Sequence, residues 1–133
     1  MAQPALVPEG GSRTAAAGGR TVKWGSDMPK YLVQGSYTAE GTKGVLAEGG
    51  TGRREAVERV LGSCGGTLES MYFAFGDHDF YIVVDVPDDA SMAATAMAVR
   101  ATGAVTSRAV PLLRPEDIDE AVRKAVDFRA PGT

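Results

Sequence analysis

From residue 30 onward, the apolar and polar positions alternate or cycle with periods that define the chain's elements one after another. Lys30-Tyr31-Leu32-Val33-Gln34-Gly35-Ser36-Tyr37 alternates as a strand does. A Gly-rich connection follows from Thr38 to Gly50, with helical character expected only in its middle, Lys43 to Glu48. Val57, Val60, Leu61 and Cys64 then fall at i, i+3, i+4 and i+7, one face of a helix. That spacing predicts a helix from Gly52 to Cys64, with Thr51 as its N-cap and Gly65-Gly66 as its stop. Two further runs, Leu68 to Phe75 and Phe80 to Val86, are rich in aromatic and β-branched residues and meet at Gly76-Asp77-His78-Asp79. A Gly-Asp pair between such runs signals a hairpin, because Gly tolerates the positive φ of tight turns. Pro87-Asp88-Asp89 opens a second helix to about Thr102, whose expected packing side is Ala90, Ala93, Ala94, Met97 and Ala101. Gly103 breaks it, and Val105 to Leu113 reads as a fourth strand. Pro115-Glu116-Asp117 starts a third helix to about Phe128, with Ile118, Ala121, Val122 and Ala125 on one face. Acids at its start and Arg123 and Lys124 near its end suit the helix dipole.

Strand, helix, strand, strand, helix, strand is the order of the ferredoxin-like split βαβ arrangement, an α+β fold. It predicts a four-stranded antiparallel sheet with two helices on one face and an extra C-terminal helix. Right-handed crossovers put the first and third strands in its centre. Alternation sorts the strand residues into two faces. Tyr31, Val33, Gly35, Tyr37, Leu68, Tyr72, Ala74, Phe80, Ile82, Val84, Val86, Val105 and Ala109 form one, mostly apolar, expected to meet the helices. The other holds Leu32, Gln34, Ser36, Glu69, Met71, Phe73, Tyr81, Val83, Asp85, Thr106, Arg108 and Val110, and no helix of the chain remains to cover it. Its large apolar residues, Met71, Phe73, Val83 and Val110, imply a partner, a second copy stacking its sheet as in a dimeric α+β barrel. The space between the sheets would be the natural cavity for a small molecule.

Composition narrows the chemistry. A chain of 133 residues suits one domain whose core needs no disulfide or metal. The net charge of -3 and the absence of a Lys/Arg cluster beyond Arg53-Arg54 argue against nucleic acid as a partner. One cysteine and one histidine exclude an intrachain disulfide and leave zinc little to bind. No apolar run is long enough to span a bilayer, so no membrane partner and a cytoplasmic location are expected. No cofactor is called for. Residues 1–27 are dominated by Gly, Ala, Pro, Ser and Arg without periodicity, which predicts a flexible N-terminal extension ahead of a domain over residues 28–128 and a tail at 129–133.

Four features carry candidate chemistry. His78 sits between two aspartates at the hairpin tip; a His paired with carboxylate can act as a general base, and the alternative is a solvated turn. Cys64 can be a nucleophile, but it completes an apolar helical face, where a thiol behaves as a small hydrophobe. Gly41-Thr42-Lys43-Gly44 resembles part of a phosphate cradle but lacks the full P-loop spacing and its Gly-Lys-Ser/Thr ending, and reads as a flexible turn instead. The fullest constellation is Arg108 with Gln34, Tyr81, Asp85 and Glu69. There the guanidinium can fork onto a carboxylate or enolate while the carboxylates move protons, or Arg108 pairs with Asp85 or Glu69 within a polar dimer interface.

Met28-Pro29-Lys30-Tyr31, Ser36-Tyr37-Thr38-Ala39-Glu40-Gly41-Thr42-Lys43-Gly44 and the hairpin with its Val86-Pro87-Asp88-Asp89 continuation resemble the GYD domain family, over about Met28 to Leu113. That family takes its name from a Gly-Tyr-Asp signature at the hairpin. Here the region reads Gly76-Asp77-His78-Asp79, with His78 where the tyrosine is expected, which tells against tyrosine chemistry at this point. The resemblance implies a ferredoxin-like fold related to dimeric α+β barrels and no shared activity. Two classes of function therefore stand open. One is a homo-oligomeric module binding a small molecule between sheets or serving as an assembly unit. The other is a cofactor-independent dimeric-barrel enzyme, an oxygenase, isomerase or cyclase, acting on an aromatic or polyketide-like substrate; that idea rests on fold analogy.

Overall fold

The computed structural model describes residues 14–17, 20–23 and 28–133, the first two stretches by their backbone alone. Strands β1 (Thr14–Ala17) and β2 (Arg20–Lys23) pair antiparallel in a sheet of their own, where the sequence predicts no element. The expectation of flexibility over residues 1–27 otherwise lies outside the described residues. β3 (Lys30–Tyr37), α1 (Ala39–Gly62), β4 (Thr67–Phe73), β5 (Phe80–Asp85), α2 (Asp89–Arg100), β6 (Val105–Leu112) and α3 (Pro115–Ala121) follow. β3 to β6 form one antiparallel sheet in the order β4-β5-β3-β6, the ferredoxin-like topology with β3 and β5 central. Alternation along the central strands buries Tyr31, Val33, Phe80, Ile82 and Val84 against the helices, where they join Leu61, Val86, Met92 and Val105 in one core.

α1 starts at Ala39, far earlier than its apolar periodicity suggests. The side chain of Thr38 caps it, accepting from the Gly41 N–H at 3.2 Å, while the Thr38 N–H and hydroxyl donate to the carbonyls of Ala104 and Gly103, each at 3.0 Å. This docking against the loop before β6 holds a Gly-rich stretch helical against its own preference for coil. Gly41-Thr42-Lys43-Gly44 thus forms helix rather than a cradle or turn. Only Gly49 leaves helical geometry, at φ 78°, where the helix kinks. Cys64 lies just beyond α1, its thiol 3.3 Å from the Leu61 carbonyl and 3.3 Å from the Thr95 hydroxyl.

α2 has the expected start, with Asp88 accepting from the Ser91 N–H at 2.8 Å, but it presents a different side to the core. Met92 is buried and Ala96 and Val99 pack beside it, while Ala90, Ala93, Ala94, Met97 and Ala101 are exposed. Size accounts for the rotation, since Met92 and Val99 bury more apolar surface than alanines do. α3 ends at Ala121, short of Phe128, and Ile118, Val122, Val126 and Phe128 are exposed. A helix whose apolar face meets nothing gains no tertiary support, and propensity alone does not sustain its last turns.

The largest correction to the two-face assignment comes from β4. The pairing with β5 runs Leu68↔Val84 and then Ser70↔Val83, so Glu69 is the extra residue of a β-bulge. Past it, side-chain parity inverts. Met71 and Phe73 stand opposite the inward-facing Ile82 and Phe80, and Met71 packs against the core. Tyr72, expected inside, stands opposite Tyr81 on the helix-free face and is 71% exposed.

Tyr31 ties the sheet to α2, its hydroxyl donating to the Asp89 carboxylate. That hydrogen bond, with burial and the nearby negative charge, pushes the phenol from 10 up to about 12. The folded chain holds this proton where the unfolded chain loses it. The contribution is therefore complete below pH 10 and disappears as pH climbs toward about 12. Urea titrations across that window should show Tyr31→Phe with a flatter alkaline loss of stability than the parent; parallel curves would deny Tyr31 the role.

Candidate functional site

The helix-free face is built of registered rows across β4, β5, β3 and β6. Ser70, Val83, Leu32 and Val110 form one row, and the next is Tyr72, Tyr81, Gln34 and Arg108. Gln34 is directly opposite both Tyr81 and Arg108, so three of the expected site residues meet there. The correction at Glu69 adds Tyr72, which strict alternation along β4 had hidden.

His78 joins this row from the loop at 74–79. Asp79 clamps the end of this loop to β3, while its tip, Phe75 to Asp77, is exposed. The Asp79 N–H donates to the Gly35 carbonyl at 2.7 Å, and its carboxylate accepts from the Tyr37 N–H at 2.9 Å. His78 is thereby folded back, half-buried, with its Nε2 3.3 Å from the Gln34 amide nitrogen and its ring edge-on to Tyr81 at 5.8 Å between centroids. Asp79 serves the backbone rather than the imidazole, so it makes no pair with His78, and the turn at Gly76 and Asp77 is exposed to solvent.

Asp85 and Glu69 lie in a different row. Lys30 bridges them, pairing with Glu69 and standing 3.0 Å from Asp85, and Arg114 adds a second cation 3.6 Å from Asp85. Burial alone would lower the Lys30 ammonium, but hydrogen bonds and charge from the two carboxylates outweigh it and hold its pKa above the usual value. Arg114 also donates to the Met28 carbonyl at 2.9 Å, which makes this cluster a fastening between the start of β3 and the end of β6. The five expected residues therefore divide. Gln34, Tyr81 and Arg108 form an aromatic and polar row with Tyr72 and His78, whereas Asp85 and Glu69 are neutralised by Lys30 and Arg114.

Arg108 is exposed and has no ion-pair partner among the described residues. Arg108 stands opposite the Gln34 amide on β3, with Tyr81 one strand further along the row on β5 and Tyr72 beyond it on β4. No cluster of three metal-ligating side chains exists among the described residues, and none of their helices is long and apolar enough to cross a membrane. Comparison with curated proteins and with solved structures gives no match. The sequence profile of one protein family, the GYD domain, matches residues 31–122, from the second residue of β3 to the residue just past α3. With well over half its length matched, and with the fold and helix-free face described above, the chain belongs to the GYD domain family.

Proposed function

We propose that this chain is a self-associating binding module, in which two copies stack their helix-free faces and hold a small planar anion against the Tyr72–Tyr81–Gln34–Arg108 row. The unpaired Arg108 opposite Gln34, which in turn meets Tyr81 and the folded-back His78, carries the reading. The flanking row of Val83, Leu32 and Val110 supplies apolar surface for a partner, and a second sheet would enclose the polar row and strengthen its contacts. Arg108 holds the ligand's carboxylate or enolate; Gln34 and His78 fix its orientation; Tyr72 and Tyr81 stack on its ring.

Native mass spectrometry of the full chain, purified from its own host, tests this. The parent should appear as a dimer carrying a small anion. Arg108→Ala should remain a dimer and lose the bound mass, with affinity for the identified compound falling by about 2 kcal/mol. Arg108→Lys should restore only part of that, since a point ammonium cannot reproduce the planar fork. An Arg108→Ala protein that retains the same bound mass would refute the site.

A second reading, a cofactor-independent enzyme acting on an aromatic or polyketide-like substrate, is favoured by the His78 imidazole, which reaches the row of Arg108 through Gln34. An imidazole there could take a proton from a substrate whose enolate the guanidinium stabilises. Turnover of the identified compound that is lost in His78→Ala, with binding retained, would select the enzyme.

A further inference from the structure

The opposite side of the sheet is not closely packed. Between it and the two helices lies a cavity of about 100 Å³, walled by Val57, Met71, Met92, Ala96, Val105 and Ala109. Protein interiors hold few voids larger than a water molecule. An apolar cavity of about 150 Å³ is known to stay dry and accept benzene, so this one is of the size for a short hydrocarbon. Its polar lining is one-sided. Arg53 and Arg100 both reach it, with Tyr37, Thr95 and Ser107, and no carboxylate is among the lining residues. Arg53 is partly satisfied by Glu48 at 3.5 Å, but Arg100, exposed in the last turn of α2, has no ion pair among the described residues. An apolar chamber whose only formal charges are cationic selects an amphipathic anion.

From this geometry we infer a second ligand site, distinct from the helix-free face, that takes a short-chain carboxylate. Its hydrocarbon lies among Met71, Met92, Val57 and Ala96, and its head group meets Arg100. The inference does not depend on the reading of the Arg108 row.

The methionines make the test direct. Met71 and Met92 line the cavity, whereas Met28 lines a separate surface hollow and Met97 is on the exposed side of α2. None of these four lies on the helix-free face, so binding there does not disturb their resonances. With methyl-labelled methionine in the full chain, hexanoate should shift the Met71 and Met92 methyl resonances saturably and leave those of Met28 and Met97 in place. Uncharged 1-hexanol should bind about tenfold more weakly, and Arg100→Gln should bring hexanoate down to that level. Ala96→Leu, which fills the chamber, should abolish both effects. A hexanoate titration without saturable shifts at Met71 and Met92 would overturn the site. Equal affinity for hexanoate and 1-hexanol would overturn its anionic selectivity. Should Ala96→Leu fail to fold, the methyl shifts and the Arg100→Gln comparison still decide both points.

Discussion

Gly41→Ala should destabilise the domain by about 2 kcal/mol, although alanine is the better helix former. Gly41 is buried in the first turn of α1, and a β-carbon there would collide with the Ala104 carbonyl oxygen and stand 3.0 Å from its carbon. That obstacle is backbone, held in place by the Thr38 N–H at 3.0 Å, so it cannot swing aside as a side chain would. Overpacking of this kind costs about 1–3 kcal/mol or somewhat more, and the propensity gain of about 1 kcal/mol offsets only part of it. For a domain of this size, the melting temperature should fall by roughly 10 °C. Gly44, one turn on in the same helix, has open space where its β-carbon would lie. Gly44→Ala should therefore stabilise by up to about 1 kcal/mol. Thermal melts of the two variants should move in opposite directions. If both rise, the close approach of α1 to the Ala104 loop has no energetic weight.

Val83→Asp should convert the proposed dimer to a folded monomer. Val83 lies on the central strand β5, opposite Leu32 and Ser70, and is half-buried in the single chain. An aspartate there keeps contact with water in the monomer, so its cost to folding is the strand-propensity difference, within about 1 kcal/mol. Against a stacked partner the same carboxylate is buried without a cation, at about 3–5 kcal/mol. A dimer of two identical copies buries two such carboxylates, so the dissociation constant should rise by more than about a thousandfold. Light scattering with circular dichroism reads both halves of the expectation. A parent chain that is already a stable monomer at micromolar concentration would end the self-association reading, and with it the enclosed ligand site on this face. The helix-side cavity would be unaffected, because it is formed within one chain.

Much of this protein follows from periodicity in the chain itself. The alternation in Lys30–Tyr37 and Phe80–Asp85 reproduces β3 and β5, because strands buried on one face need an apolar residue at every second position. The pairing of Gln34 with Arg108 follows from the topology, since β6 can only return beside β3 once the crossovers are right-handed. Asp88 and the Val57–Leu61 face are likewise local signals, legible because capping and amphipathicity act over a few residues. What periodicity missed depends on contacts between residues distant in sequence. The N-terminal half of α1 carries no apolar stripe and becomes helix because Thr38 docks on Gly103 and Ala104. The side of α2 that packs is chosen by which residues fill the space over the sheet, and Met92 fills it better than the alanines. The bulge at Glu69 shifts register by one residue, and since strand parity has period two, that single residue exchanges Tyr72 with Met71 and Phe73 between the faces. His78 reaches the site only because Asp79 fastens its loop to Gly35 and Tyr37, contacts some forty residues away in sequence. Local patterning determined which strands and helices exist; long-range hydrogen bonding and packing decided which side chains share a face, and the candidate site is composed of those choices.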